Sequence, residues 1–469
     1  MKRLLFSLVL VFVCPVAGMA AEAAYPPPPM PGQIVSVDDT VYGVLRTHRN
    51  LRGMLENRDV LEHEVDRARA GFGPRVDLTG RAGYGISSTF TTRQAKDDKQ
   101  LWSTVSYSAT LVQPIWDGFA ARSRVRSAKS TLESVKNRVF DTATSLSLDG
   151  IIAHIDLLRR RTIYDLSVKN VEQHKSVLGM AQERANLGAD TQADVSQAQS
   201  RLARALSGLS EAKASLHVAE ETYTRLTGLP SDSPLQAVTM PPQIFENPES
   251  VFLLAEKGNP KLAAYLQDIR ALVGDKELAE SAFYPTINLE AGPNYSNRNI
   301  SDQFEQNWQY TFDILGTVRW NIFNSGADWA ERKAALARIR QSRQLMYNFI
   351  DELKLDVDST WINYLAAQEQ YKHYTKAIEY NKFTRTAYKE QFQLGRRTLL
   401  DVLDAESELF NSSTQAETSR GNILVGAYRL CALTGHLLQQ MSIDLAPLGH
   451  RPPVDANDPR EAFAPGWFN

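Results

Sequence analysis

The chain has 469 residues, 52 Lys and Arg against 54 Asp and Glu for a formal charge of -2 at pH 7, and two cysteines. This near-neutral balance, with no concentrated basic run, gives nucleic-acid binding no footing. Nowhere after Ala20 does an apolar run of about 18 residues offer a membrane-spanning helix, so any membrane insertion must use strands.

Met1, Lys2 and Arg3, the apolar stretch Leu4 to Val13, and the small-residue site Gly18, Met19, Ala20 make residues 1–20 a signal peptide and the protein an exported one. Cys14 lies within it without the small residues that precede a lipoprotein cysteine. Cys431 is then the one mature cysteine, and no internal disulfide forms. Residues 21–34 carry Pro26 to Pro29 and Pro31, an extended surface segment that neither a helix nor a central strand accepts.

A first unit spans 35–228. Val35 to about Phe72 has helical spacing, broken near Asn50 and stopped before Pro74. Val76, Leu78 and later Tyr84 alternate as a strand, a polar loop runs from Ser87 to Gln100, and Trp102 to Trp116 is a second strand, giving a pair over 75–116. Residues 118–228 then predict a helical hairpin. From Gly118 to Leu187 the chain runs about 70 residues without proline, a helix of roughly 100 Å. Val125, Ala128, Leu132, Val135 and Val139 step along it by three and four as a coiled-coil seam. Gly188 can end it in a left-handed cap, and Thr191 can N-cap the shorter helix that returns to Gly228.

The pattern then repeats over 249–435, after a linker at 229–248. Helical spacing from Glu249 to Phe283 is broken at Asn259 and Pro260. A strand pair over 286–323 holds Ile287, Leu289 and Tyr295, a loop from Ser296 to Gln306, and a run from Trp308 to Phe323. A second hairpin over 326–435 rises to Leu394, turns at Gly395 and restarts at Thr398, with Ala335, Ile339, Ser342, Met346, Phe349 and Leu353 as its stripe. Ile115 to Gly118 matches Ile322 to Ser325, and Leu226 to Gly228 matches Leu433 to Gly435, at one offset of about 207 positions, the mark of an internal duplication. The linker and the tail at 436–469 fill the space the shorter returning helices leave, and from Ala446 onward the Pro-rich chain predicts little regular structure.

The strands are loaded with aromatics: Trp102, Tyr107, Trp116, Trp308, Tyr310, Phe312, Trp320 and Phe323. In a soluble sheet these are core; near strand ends they also suit the girdles of an outer-membrane barrel. Two strands per copy make four, whereas single-chain barrels start at about eight. Edges exposed to lipid leave backbone groups unpaired, so such a sheet must close through other subunits. Three subunits and twelve strands form the smallest odd solution with a usable bore, while a dimer of eight is arithmetically possible.

Four stretches carry a resemblance over nearly the whole mature chain: Asn259 to Leu262, Phe283 to Pro285, Asn324 to Asp328 and, above all, Gly395 to Asp404. They resemble the TolC family of outer-membrane efflux ducts, the outer-membrane component of type I secretion among them. The resemblance implies a mixed, mainly α fold: a long α-helical coiled-coil barrel with a four-stranded contribution to a trimeric 12-stranded transmembrane β-barrel. It implies a homotrimer seated in outer-membrane lipid, with a periplasmic tunnel that narrows at the hairpin tips. The tips would meet a periplasmic adaptor (membrane fusion) protein and an inner-membrane ABC transporter or RND pump.

Asp401 and Asp404, three apart on one helical face, would form rings of carboxylates about a threefold axis, selective for cations and able to bind them. By the resemblance Arg397 corresponds to a latch arginine and Asp194 to its acidic partner. Phe392 stands where a latch Tyr is usual, and Ala193 replaces a hydroxyl residue beside Asp194. Leu187, Gly188, Leu394, Gly395, Arg396, Thr398 and Leu399 are the tip residues that would face an adaptor. The bland alternatives are a solvated helix face, a surface ion pair and ordinary hairpin packing.

No enzyme site emerges. The eight His are scattered, no phosphate-cradling Gly loop is present, and His63 with Glu64 lacks the second His of a zinc-protease motif. No cofactor is implied. The first functional reading is the duct of a type I secretion system, carrying unfolded polypeptide such as a large adhesin. The second is the duct of a multidrug efflux pump, and the third a periplasmic coiled-coil adaptor or scaffold without a pore.

Overall fold

A computed structural model describes residues 28–30, 32–88, 90, 100–188, 191–241, 245–300 and 308–443. The expected signal peptide and the tail beyond Ile443 lie outside the described residues. So does most of the first polar loop.

Two short helices open the chain, α1 (Val37–Thr47) and α2 (Arg49–Ala70), parted at His48. Ser36 N-caps α1 in a reciprocal box with Asp39. Strands β1 (Arg75–Ser87) and β2 (Gln100–Trp116) lead to the 67-residue α3 (Ala120–Asn186) and its return α4 (Gln192–Thr227). In the second copy α5 (Pro248–Gly258) and α6 (Pro260–Glu280) are parted at Asn259, whose side chain caps α6 through the amides of Lys261 and Leu262. Then come β3 (Thr286–Ile300), β4 (Trp308–Arg319), the 67-residue α7 (Ala327–Gln393), its return α8 (Leu399–Leu433) and the single turn α9 (Leu437–Gln440). At 1.5 Å per residue, each long helix extends roughly 100 Å. β3 runs on to Ile300, past the loop start expected at Ser296, because it continues its pairing with β2 that far.

Backbone conformation repeats with the duplication. Left-handed residues stand at Gly118 and Phe119 before α3, and at the equivalent Ser325 and Gly326 before α7. Each copy has glycine at one of the two positions and strains a residue with a side chain at the other.

The four strands form one antiparallel sheet in the order β1-β2-β3-β4. Its register sorts the side chains. Val76 stands opposite Leu111, Gly80 opposite Tyr107, Tyr107 opposite Tyr295, Tyr295 opposite Tyr310, and Leu111 in line with Ala291 and Ile314. Directly paired residues share a face, so this face is apolar and aromatic from edge to edge. The other carries Asp77, Thr79, Arg81, Thr110, Ser108, Glu290, Asn294, Asp313 and Thr311. Leu78 is 82% exposed and Ile314 66% exposed, so no element among the described residues covers the apolar face at these positions.

The core lies at mid-height, where the returning helices fall short of the long ones. Val44, Leu45 and Leu51 of α1 and α2 pack there with Val139, Ile151 and Ile155 of α3, Cys431 of α8, and Leu437 and Leu438 of α9. The linker joins in through a parallel bridge, Val35 with Leu235. His154 is a satisfied core histidine, with Nδ1 2.8 Å from Thr40 Oγ1 and Nε2 2.9 Å from the Gln236 carbonyl oxygen. Burial pushes the Cys431 thiol up to about 11, leaving it inert. Val135, Val139, Ala335, Ile339, Phe349 and Leu353 of the two expected stripes are all buried. Among the described residues, no helix is long and apolar enough to cross a membrane.

Candidate functional site

The two hairpin tips are built alike. Gly188 (φ 76°) and Gly395 (φ 70°) end the long helices in the left-handed region. At the second tip the Arg396 amide donates to the Gln391 carbonyl (2.8 Å) and that of Gly395 to Phe392 (3.0 Å), satisfying carbonyls the helix end would leave bare. The returning helices start on matched capping boxes. The Asp194 amide donates to Thr191 Oγ1 (3.2 Å), while Asp194 Oδ2 accepts from the Thr191 amide (3.0 Å) and hydroxyl (2.6 Å). Asp401 and Thr398 repeat this at 3.3, 3.2 and 2.8 Å. The threonine hydroxyl first, and then its amide, hold both carboxyls below the ordinary carboxylate range, with Arg397 adding a smaller pull on Asp401.

Within the chain, Arg397 turns to its own hairpin. Its guanidinium lies 4.3 Å over the Tyr388 ring, Nε donates to Gln391 (3.2 Å), and Nη1 stands 3.8 Å from Asp401. The expected pairing of Arg397 with Asp194 does not form inside one protomer, because the Asp194 carboxylate is already turned back onto its own cap. Asp404 does bridge the hairpins, with Oδ1 2.9 Å from Nη2 of Arg201 on α4.

Phe392 is a plug. Only 1% exposed, it packs with Val177 and Ala181 of α3, Ala198 of α4, and Leu399, Val402 and Leu403 of α8. Arg184 of α3 lies 4.7 Å over its ring and donates to its carbonyl oxygen (3.1 Å). One apolar knot therefore ties both tips together. Next to it sits Glu406, 4% exposed and 3.9 Å from Arg385, its carboxyl raised by burial against the pull of Arg385 and Lys389.

Leu187 and Leu394 are 78% and 70% exposed, and Gly188, Gly395, Arg396 and Thr398 are exposed with them. Leu399 corrects the expected outward set: at 3% exposed it faces the Phe392 knot, because the first residue after the Thr398 cap points inward. Sequence reasoning missed Arg201, Arg184 and Glu406. Their partners stand on other helices, and spacing along one helix carries no signal of interhelical register. For Phe392 the signal is a large apolar residue just before a cap. No group of three or more metal-ligating side chains occurs among the described residues.

The sequence profile of the Outer membrane efflux protein family matches residues 41–229 and 253–436, one stretch in each copy. The chain is 24% identical over 419 residues to the outer membrane efflux protein BepC of Brucella suis biovar 1 (strain 1330), covering 88% of this chain and 89% of that one. With the alkaline protease secretion protein AprF of Pseudomonas aeruginosa it shares 22% over 404 residues, 82% of each chain. Its fold is that of the outer-membrane channel OprN, with a TM-score of 0.75 at 16% identity over 85% of this chain and 89% of that one. Matched sheet, matched tips and a profile that recognises both copies lead to one conclusion: the chain belongs to the outer membrane efflux protein family, non-enzymatic transport channels of the outer membrane.

Proposed function

We propose that three copies close a twelve-stranded barrel in the outer membrane and a helical tunnel in the periplasm. The tips receive substrate from an inner-membrane ABC transporter through a periplasmic adaptor, and the cargo is polypeptide exported by type I secretion. The observation that carries this reading is the sheet: four strands with one face apolar, the other polar, and edges at β1 and β4 that pair with nothing else among the described residues. In hydrocarbon each unpaired backbone group costs several kcal/mol, so neighbouring copies must complete the ring. Protein cargo is supported by the similarity to AprF, whose name assigns it to protease secretion. The similarity to BepC, named an efflux protein, favours a second reading, small-molecule efflux with an RND pump.

At the tips, Asp401 and Asp404 with Arg397 and Asp194 form the gate in this reading, the threefold axis turning each carboxylate into a ring. Each carboxylate has a guanidinium neighbour within its own chain, Asp404 that of Arg201 and Asp401 that of Arg397. Two experiments test the proposal. Deleting the gene should remove a secreted protein from the medium; raised antibiotic sensitivity with an unchanged secretome would favour the second reading. In planar bilayers, Asp401→Asn with Asp404→Asn should abolish block by divalent cations, and persistent block would remove the ring assignment.

A further inference from the structure

A cavity of about 570 Å³ opens where the sheet meets the helices, between the start of α3, the end of α6 and the start of α7. That is within the usual range for a small-molecule site. Its aromatic wall continues the apolar face of the sheet. Trp116 pairs with Ile287 at the end of β2, its ring lies 4.6 Å from Phe119, and Phe119 lies 6.4 Å from Tyr284. Phe119, Tyr284 and Trp329 line the cavity and are 47%, 50% and 57% exposed. Tyr and Trp rings favour the headgroup level of a bilayer, with one end apolar and the other wet.

The opposite wall is cationic. Arg122, Arg126 and Arg332 face Glu277 and Glu280 across it. Arg126 is held by Glu277 at 2.6 Å, and Arg332 gives its Nε to Glu280 at 2.8 Å while keeping further N–H donors. Arg122 pairs with no carboxylate among the described residues. Three guanidiniums against two carboxylates leave the wall net positive. Arginine's planar fork matches the oxygens of a phosphate.

We propose that this cavity holds the phosphate headgroup of a phospholipid from the periplasm-facing leaflet, gripped by Arg122 and Arg332, with its acyl chains leaving past Phe119 and Tyr284 onto the apolar face of the sheet. The inference rests on the reading of that sheet as membrane-spanning. A lipid seated there would bridge barrel and tunnel at the strained Gly118–Phe119 junction.

Native mass spectrometry of the detergent-extracted protein, exchanged into micelles containing phosphatidylglycerol, tests it. About one lipid per chain should remain bound, and Arg122→Glu should lower retention at least about tenfold, the loss of a charged phosphate contact. Trp329→Ala should lower it less. Arg343→Glu, an exposed position farther along α7, should leave it unchanged. Equal loss in Arg122→Glu and Arg343→Glu would reduce the binding to unspecific adhesion and overturn the site. A thermal shift from inorganic phosphate alone matching that from phosphatidylglycerol would overturn the lipid as its source. Flotation of the protein with urea-washed vesicles separates the two layers of inference. Failure to float sinks the membrane-spanning reading, whereas flotation with undiminished lipid retention in Arg122→Glu sinks the headgroup site alone.

Discussion

Helices α3 and α7 hold equivalent places in the two copies and are equally long, 67 residues each, but the chain covers them differently. α3 is packed against α1, α2, α4, α6 and α8. Among its large apolar side chains from Ala120 to Asn186, none is exposed. α7 is packed chiefly against α6 and α8, and also α5. It leaves Leu345, Leu355, Ile362, Leu365, Tyr380 and Phe383 open, with Leu355 and Ile362 68% and 65% exposed and one heptad apart. Duplication produced two helices of one length, and the coats around them then diverged. α3 is coated by its own chain; under the trimer reading a neighbouring protomer coats α7.

The largest expected effect comes from equivalent positions on these helices. Ile155 is 4% exposed, so Ile155→Asp buries a charge in the mid-height core and should cost about 4 kcal/mol or more, unfolding the protomer. Ile362→Asp should keep the helical circular dichroism and abolish the trimer in light scattering. If both variants unfold, or both assemble, the difference drawn between the helices is wrong.

Next in size is Phe392→Ala. Removing the plug should cost about 3 kcal/mol and speed hydrogen exchange at both tips, whereas Leu187→Ala at the exposed end of α3 should leave exchange unchanged. The capping boxes test how alike the tips are. Thr191→Ala and Thr398→Ala should each cost about 1 kcal/mol, seen as fraying of the first turns of α4 and α8. Because Asp194 and Asp401 are held low, their contribution is complete above the ordinary carboxylate value of 3.8 and is lost as pH falls through their lower folded values. The carboxylate's share of either threonine variant's cost should therefore disappear in strong acid, while the share from the aspartate amide bonding to the threonine Oγ1 remains.

Glu406 reverses the sign. Burial raises its carboxyl, so the native state binds the extra proton and stability falls as pH rises from 4.5 through the folded value. Glu406→Gln should stabilise the protein at neutral pH, and the gain should fade near pH 4.5 in thermal melts. Smallest in stability is Arg201→Ala, about 0 to 1 kcal/mol because Asp404 is 55% exposed. Its readout is single-channel conductance, which should rise if the bridge between hairpins restrains the tips.

Much of this was legible beforehand because it is local. Gly188, Gly395, Thr191 and Thr398 announce caps within a few residues of themselves, and period two in Val76, Leu78, Ile287 and Leu289 announces strands. The tip's inner wiring was not legible. Asp401 is anchored first to Thr398, Leu399 turns inward, and Arg397 lies on Tyr388 of its own hairpin. The end of β3 was also misplaced, since strand length depends on the partner strand and not on polarity alone.

The duplication, the lengths of the helices, the strand pairs and the turns between them belong to the sequence alone, because each rests on contacts and dihedral preferences a few residues apart. Which helix is coated by its own chain, which arginine meets which carboxylate across the hairpins, and the edge-to-edge sorting of the sheet into one apolar and one polar face were decided only in three dimensions. They depend on the register between segments about 200 residues apart, and periodicity along either segment says nothing of that register.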